Sequence, residues 1–153
     1  MSRFDAVAAA VEIAEKHIPF NQVLGLHSCT IDDDRSVHIR IDHRDELVGN
    51  VGKGFLHGGV ISAALDLVGG IAAMIGAVGR DVPETEEEAA EIFSRIGTID
   101  LRVDYLRPGV GRWYDASGLV LRTGARVAVT RMEMHNDQGS LIAVGTGTYT
   151  VGR

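Results

Sequence analysis

Residues 58–79 read GGVISAALDLVGGIAAMIGAVG, 22 residues in which Asp66 is the only charged side chain. The length matches a membrane span of about 20 residues. Six of these residues are glycine, however, and a central aspartate costs about 2.5–3.5 kcal/mol on insertion scales. The segment therefore reads as the buried helix of a globular core. Being apolar on every face, it is expected to be enclosed. Ala63, Ala64, Gly69, Gly70, Ala72, Ala73 and Gly76 lower its helix propensity, by about 1 kcal/mol for each glycine. Such a cost is tolerated where a wrapping sheet or a second helix packs close to the backbone.

On the C-terminal side, residues 80–97 form an acidic excursion. Thr85 and Glu88 fit a capping box, which predicts a short solvated helix over Glu86–Arg95. The period then changes to two. Ile99, Leu101, Val103 and Tyr105 alternate with polar residues in a strand over 98–105. Arg107-Pro-Gly-Val-Gly111 breaks it. Further strands follow over 113–122, 126–135 and 141–151, joined by turns at Thr123-Gly124 and Asp137-Gln-Gly139. On the N-terminal side, residues 4–18 read as a helix ended by Pro19, with Val7, Val11, Ile13 and Ala14 on its apolar positions. Strands are expected over 23–31 and 37–41, around the turn Asp32-Asp33-Asp34, and a polar loop from Asp42 to Leu56. One long helix and some six antiparallel strands give an α+β fold, with the sheet curved around the helix. With no repeat, linker or low-complexity tract, residues 1–153 are expected to form one domain.

Composition narrows the function classes. The chain is 45% apolar and 24% charged, with a net charge of −6. No basic stripe exists for nucleic acid. Cys29 is the only cysteine, so neither an intrachain disulfide nor a zinc knuckle can form. The six histidines show no metal-ligand spacing. Residues 1–15 carry Arg3, Asp5, Glu12 and Glu15 and lack the apolar core of a signal peptide. The expectation is a cytoplasmic protein with no membrane or nucleic-acid partner and no metal.

The string His57-Gly-Gly-Val-Ile-Ser-Ala-Ala-Leu-Asp66 carries the chemistry. Its glycines let a ligand approach the backbone, and the first amides of a helix lack internal partners. Gly58 and Gly59 are therefore candidate donors to a developing oxyanion. A helix start that merely packs tightly accounts for the same residues. Asp66 reads either as a structural carboxylate held by a neighbouring hydroxyl or as a group whose costly burial serves catalysis. From Gly58 to Asp66 is about 12 Å along the axis. Both can act on one carbonyl carbon only if they come from different subunits, which predicts a dimer with composite sites.

In its ordered motifs the chain resembles the PaaI-type hotdog-fold acyl-CoA thioesterases. His57-Gly-Gly with Asp66 nine residues on carries the likeness first. Phe20-Asn-Gln-Val-Leu-Gly25, the strand Thr98 to Pro108, Arg122-Thr-Gly-Ala-Arg126 and Leu141 to Tyr149 extend it over nearly the whole chain. The acidic insertion and Arg95-Ile-Gly-Thr-Ile-Asp100 resemble the YigI-like branch. The resemblance implies hydrolysis of medium- to long-chain acyl-CoA, with CoA as part of the substrate and no separate cofactor. It implies that the Gly58 amide polarises the thioester carbonyl. Asp66 of the partner subunit then activates water or attacks directly. Thr98 orients the water and His57 braces the site. Asn50 corresponds to a family asparagine, although it stands one residue further from the histidine than in the family pattern. Arg107, Arg126 and Lys53 are candidates to grip the CoA phosphates, each with a solvated surface charge as the plain alternative. A dimer of dimers is implied too.

A thiol leaving group with a pKa of about 8.5 departs without a strong general acid, so no nucleophilic cysteine is required. Cys29 reads as a small core residue. Two other readings stand beside the hydrolase. A hotdog hydratase needs a histidine with an acid partner, and His57 and Asp66 have the thioesterase separation. A non-catalytic acyl-CoA-sensing module would have no use for the carboxylate at Asp66.

Overall fold

The computed structural model describes residues 5–152. Helix α1 (Ala6–Glu12) is capped by Asp5, whose carboxylate accepts from the Val7 and Ala8 amides. It continues as a π-helical turn, Ile13–His17. The first residue of the expected 4–18 helix lies outside the described residues. Pro19 does not simply end that helix. It opens α2 (Pro19–Leu24) at the first helical position, where its missing N–H costs nothing. Gly25, at φ 72°, stops α2 in the left-handed conformation. The first strand accordingly begins at Leu26 and not at Val23.

Strands β1 (Leu26–Ile31) and β2 (Val37–Asp42) pair across the acidic turn. The loop expected from Asp42 to Leu56 is partly ordered. It holds a 3₁₀ turn, Asp45–Leu47, and a small hairpin of β3 (Val48–Asn50) and β4 (Phe55–Leu56). Helix α3 (Gly58–Arg80) follows, then α4 (Glu86–Phe93). Strands β5 (Gly97–Tyr105), β6 (Trp113–Thr123), β7 (Val127–Asn136) and β8 (Leu141–Thr150) complete the chain. Six strands form one antiparallel sheet in the order β1-β2-β6-β7-β8-β5. The α+β reading, a sheet wrapped around a long central helix, is the architecture observed.

The core lies between the sheet and α3. Leu65, Val68, Ile71, Ala72 and Ile75 of the helix meet Ile39, Tyr114, Met132, Met134 and Ile142 of the strands. Although long and apolar enough to cross a membrane, α3 is mostly buried as the core helix. It is not enclosed on every face, however. Gly59, Ser62, Ala63, Asp66, Leu67 and Gly70 recur at helical spacing and stay partly or fully exposed. Their stripe is the one on which Asp66 lies.

Two expectations need correction. Helix α4 is not simply solvated: Ala89 and Ile92 are buried while its glutamates face out. In β5 the alternation is broken, because a bulge at Ile99 shifts the pairing with β8 between Thr98 and Asp100. The extra residue turns outward, leaving Ile99 54% exposed, and Thr98 ends up opposite Tyr149.

Candidate active site

The carboxylate of Asp66 is half-buried on the open stripe of α3. Thr98 Oγ1 donates to Asp66 Oδ1 at 3.0 Å, and the Tyr149 hydroxyl donates to the same oxygen at 3.1 Å. Among the described residues, Oδ2 accepts no hydrogen bond. Burial pushes the Tyr149 phenol well above its usual range, and the charge of Asp66 and the hydrogen bond to it push it further. Tyr149 is thus held as a proton donor. Gly69 makes room for it, since a Cβ there would stand 2.4 Å from the phenol oxygen. Asp66, Thr98 and Tyr149 sit at the rim of a cavity of about 470 Å³ whose remaining walls are largely apolar. The walls come from the π-helical turn, α3, α4 and the start of β5.

A second group gathers around the first turn of α3. His57 caps the helix, its Nδ1 accepting from the Gly59 amide at 2.8 Å. This bond requires an unprotonated Nδ1 and leaves the proton of a neutral ring on Nε2. It also occupies the Gly59 donor, so of the two expected oxyanion donors only the Gly58 amide remains without an acceptor among the described residues. Tyr105 ties the turn to the sheet: its hydroxyl donates to the Gly58 carbonyl at 3.0 Å and also meets Ser62 Oγ. Asn50, His57, Gly58, Tyr105 and Arg107 line a cleft of about 560 Å³. The Asn50 side chain accepts from the Lys53 amide at 3.2 Å and so shapes the hairpin turn.

The candidate phosphate-binding residues divide between the two groups. Arg107 lines the cleft and donates to the Leu141 carbonyl at 2.9 Å. The Lys53 ammonium lies 5.6 Å above the Phe55 ring at the cleft edge. Arg126 is exposed beside the end of β8, where its carbonyl accepts from Val151, at the Asp66 end of the sheet. One chain therefore brings Asp66 together with Thr98, and Gly58 with His57, Asn50 and Arg107, but keeps the two groups in separate cavities.

Three participants were absent from the sequence reading. Tyr105 and Tyr149 read only as strand residues, and Ser62 only as part of an apolar helix. The signal for Tyr149 is its pairing with Thr98 across β5 and β8, which no spacing along the chain reveals. Among the described residues, no three His, Cys, Asp or Glu side chains converge as a metal site.

Residues 53–143 match the model of the thioesterase superfamily. The medium/long-chain acyl-CoA thioesterase YigI of Salmonella typhimurium is 42% identical over 136 residues, covering 89% of this chain and 87% of that protein. The protein of the same name from Escherichia coli K12 is 41% identical over the same extent. The crystal structure of a Shewanella oneidensis protein related to the thioesterase superfamily superposes with a TM-score of 0.89. It shares 45% identity, over 96% of this chain and 95% of that one.

Proposed function

This chain belongs to the thioesterase superfamily, and from that premise we propose that it hydrolyses medium- to long-chain acyl-CoA to the free acid and CoA. The observation that carries the proposal is the Asp66 carboxylate, held by Thr98 and Tyr149 at the rim of an apolar cavity. The names of the relatives supply the acyl-CoA substrate class.

Asp66 Oδ2 takes a proton from a water whose oxygen attacks the thioester carbonyl carbon. The carbonyl oxygen becomes an oxyanion and is met by the Gly58 amide at the positive end of α3. Collapse of the intermediate breaks the carbon–sulfur bond. CoA leaves as a thiolate and recovers the proton from Asp66. A direct attack by the carboxylate, giving a mixed anhydride that water then cleaves, uses the same atoms. His57 fixes the helix start, and Arg107, Lys53 and Arg126 supply positive charge for the phosphates of CoA.

Gly58 and Asp66 stand about 12 Å apart along one helix, so the working site joins two subunits. The Gly58 group lies at the start of α3 and Asp66 about two turns further in, while Tyr105 of the first group and Thr98 of the second lie at opposite ends of the edge strand β5. A two-fold pairing β5 against β5 and α3 against α3 brings the Gly58 group of one subunit to Asp66 of the partner subunit, twice. The part of the open stripe of α3 around Gly59, Ser62 and Ala63 is then covered by its own copy. We place the enzyme in the cytoplasm, and extend the assembly to a dimer of dimers on family resemblance.

Thiol release from a panel of acyl-CoAs, short to long, tests the reading with wild type beside Asp66→Asn. Loss of a positioned general base lowers the rate by about 10²–10⁴-fold. An Asp66→Asn protein that keeps wild-type turnover overturns the assignment. A wild type that binds acyl-CoA without releasing thiol makes the chain a binding module.

A further inference from the structure

We propose that Phe93, with Ile13 and Ala90, forms the partition that ends the acyl pocket and sets the length of straight-chain acyl group this enzyme accepts. The inference rests on the hydrolase reading above and adds a specificity-determining wall to it.

The cavity beside Asp66 follows one face of α3. Asp66, Gly70 and Met74 recur every four residues and line it throughout, so it extends about 12 Å from the carboxylate. Its polar groups, Asp66, Thr98 and Tyr149, are hydrogen-bonded together at one point. Most of the rest is apolar, with Leu67, Ile71, Met74 and Phe93 among its walls, and Ser94 spends its hydroxyl proton on the Glu91 carbonyl. A polar cluster beside an elongated apolar space fits a chain with one reactive head. Its volume of about 470 Å³ lies within the usual small-molecule range of about 300–1,000 Å³.

Gly70 opens the middle of this space. A Cβ there would meet only Tyr149 Cε1, at an ordinary 3.6 Å, so the fold does not exclude a side chain at that position. Its neighbour Gly69, by contrast, is fixed by packing. The absence of a side chain at Gly70 keeps the groove continuous from Asp66 to Met74.

A second cavity of about 200 Å³ adjoins the first, lined by alanines, Ile13 and Phe93 together with Glu12, His17 and Glu86. The two cavities share three residues, Ile13, Ala90 and Phe93. These side chains therefore separate the acyl-sized compartment from a smaller one that also carries Glu12 and Glu86. Phe93 is the largest of them and is half-buried, packed against the core from α4. The helix of the 80–97 insertion thus supplies Ala90 and Phe93 to the shared wall, and the π-helical turn supplies Ile13.

The test uses a series of S-alkyl-CoA thioethers, hexyl to octadecyl, which bind without being cleaved. Their dissociation constants are measured with wild type, Phe93→Ala and Ala90→Leu, alongside kcat/KM for the matching acyl-CoAs. Each additional buried methylene tightens binding by about fourfold until the wall is reached. Phe93→Ala joins the two spaces, and the affinity ratio of the longest tolerated chain to its shorter neighbours rises by about tenfold. Ala90→Leu thickens the wall at an exposed helix position suited to leucine, and moves the break point to shorter chains. Opposite shifts in the two variants support the partition. Break points that stay fixed, or that move the same way, overturn it. Should Phe93→Ala fail to fold, the direction given by Ala90→Leu decides alone. Because binding is read without turnover, a protein that shows these shifts but releases no thiol refutes hydrolysis and leaves the partition standing.

Discussion

At the residue scale, two glycines of α3 differ in what the packing asks of them. Gly69 is required by the fold, because a Cβ there would stand 2.4 Å from the Tyr149 oxygen and 3.0 Å from Met132 Sδ and Thr130 Oγ1. Gly58 is not, since its Cβ would meet Tyr105 Cε1 at an ordinary 3.5 Å. In the proposed mechanism, room for an oxyanion against its amide is the reason for a glycine that packing leaves unexplained. Gly69→Ala is therefore expected to lose about 1–3 kcal/mol of stability through overpacking. Gly58→Ala should melt at or above the wild-type temperature yet lose about 10²–10³ in kcat. Thermal melts beside thiol-release assays separate the two, and a fully active Gly58→Ala would remove the amide from the mechanism. Cys29 shows the same separation of fold from function. Burial, and then the Glu15 carboxylate, push its thiol up to about 12, against about 8.5 in an unfolded chain. The native state holds its proton longer, so this contribution to stability is complete below about pH 8.5 and falls away as pH rises toward about 12. Iodoacetamide at about pH 9 should label Cys29 only after urea is added. Rapid labelling of native protein would contradict its burial.

At the scale of elements, the central helix and the six strands of the main sheet were legible because each carries its own period. The helix is apolar over 22 residues, longer than a strand can be. The strands alternate between turns rich in glycine and aspartate. What sequence could not show arises where one residue is added or one partner lies far along the chain. The bulge at Ile99 is such a case. A clean alternation over 98–105 puts Thr98 on the face opposite Leu101 and Val103. One unpaired residue restores it to their face, opposite Tyr149 and within 3.0 Å of Asp66. Pro19 likewise reads as a stop or as a first helical residue, and Gly25 beyond it decides for the second. The pairing of Asp66 with Thr98, given by resemblance, therefore depends on an irregularity that periodicity alone argues against. Thr98→Val keeps the branched shape and removes only the hydroxyl. One hydrogen bond of about 1 kcal/mol predicts thiol release slower by about fivefold. Circular dichroism and melting should stay within a few degrees of wild type. Unchanged turnover would mean that Thr98 supports the carboxylate without acting in the reaction.

At the scale of the molecule, the two halves of the site are complete in chemistry and separate in space. Asp66, Thr98 and Tyr149 supply a carboxylate and its supports, whereas Gly58, His57 and Arg107 supply an amide donor, its cap and a cation. Movement within one chain cannot join them, because α3 is a continuous helix from Gly58 to Arg80, pinned at its start by Tyr105 and against the sheet by its core. In the proposed two-fold dimer a second chain joins them without deforming either. Subunit mixing turns this reasoning into a number. Homodimers of Asp66→Asn lack the carboxylate in both sites, and homodimers of Gly58→Ala lack the open amide in both. In a mixed dimer, the intact Gly58 of the first variant meets the intact Asp66 of the second, while the other site carries both lesions. Random co-assembly makes half the dimers mixed, each with one working site of two. Activity should then recover to about a quarter of wild type. A site contained within one chain predicts no recovery at any mixing ratio, because every chain in the mixture carries a lesion. Thiol release from the co-expressed variants, read against each variant alone, distinguishes the two arrangements.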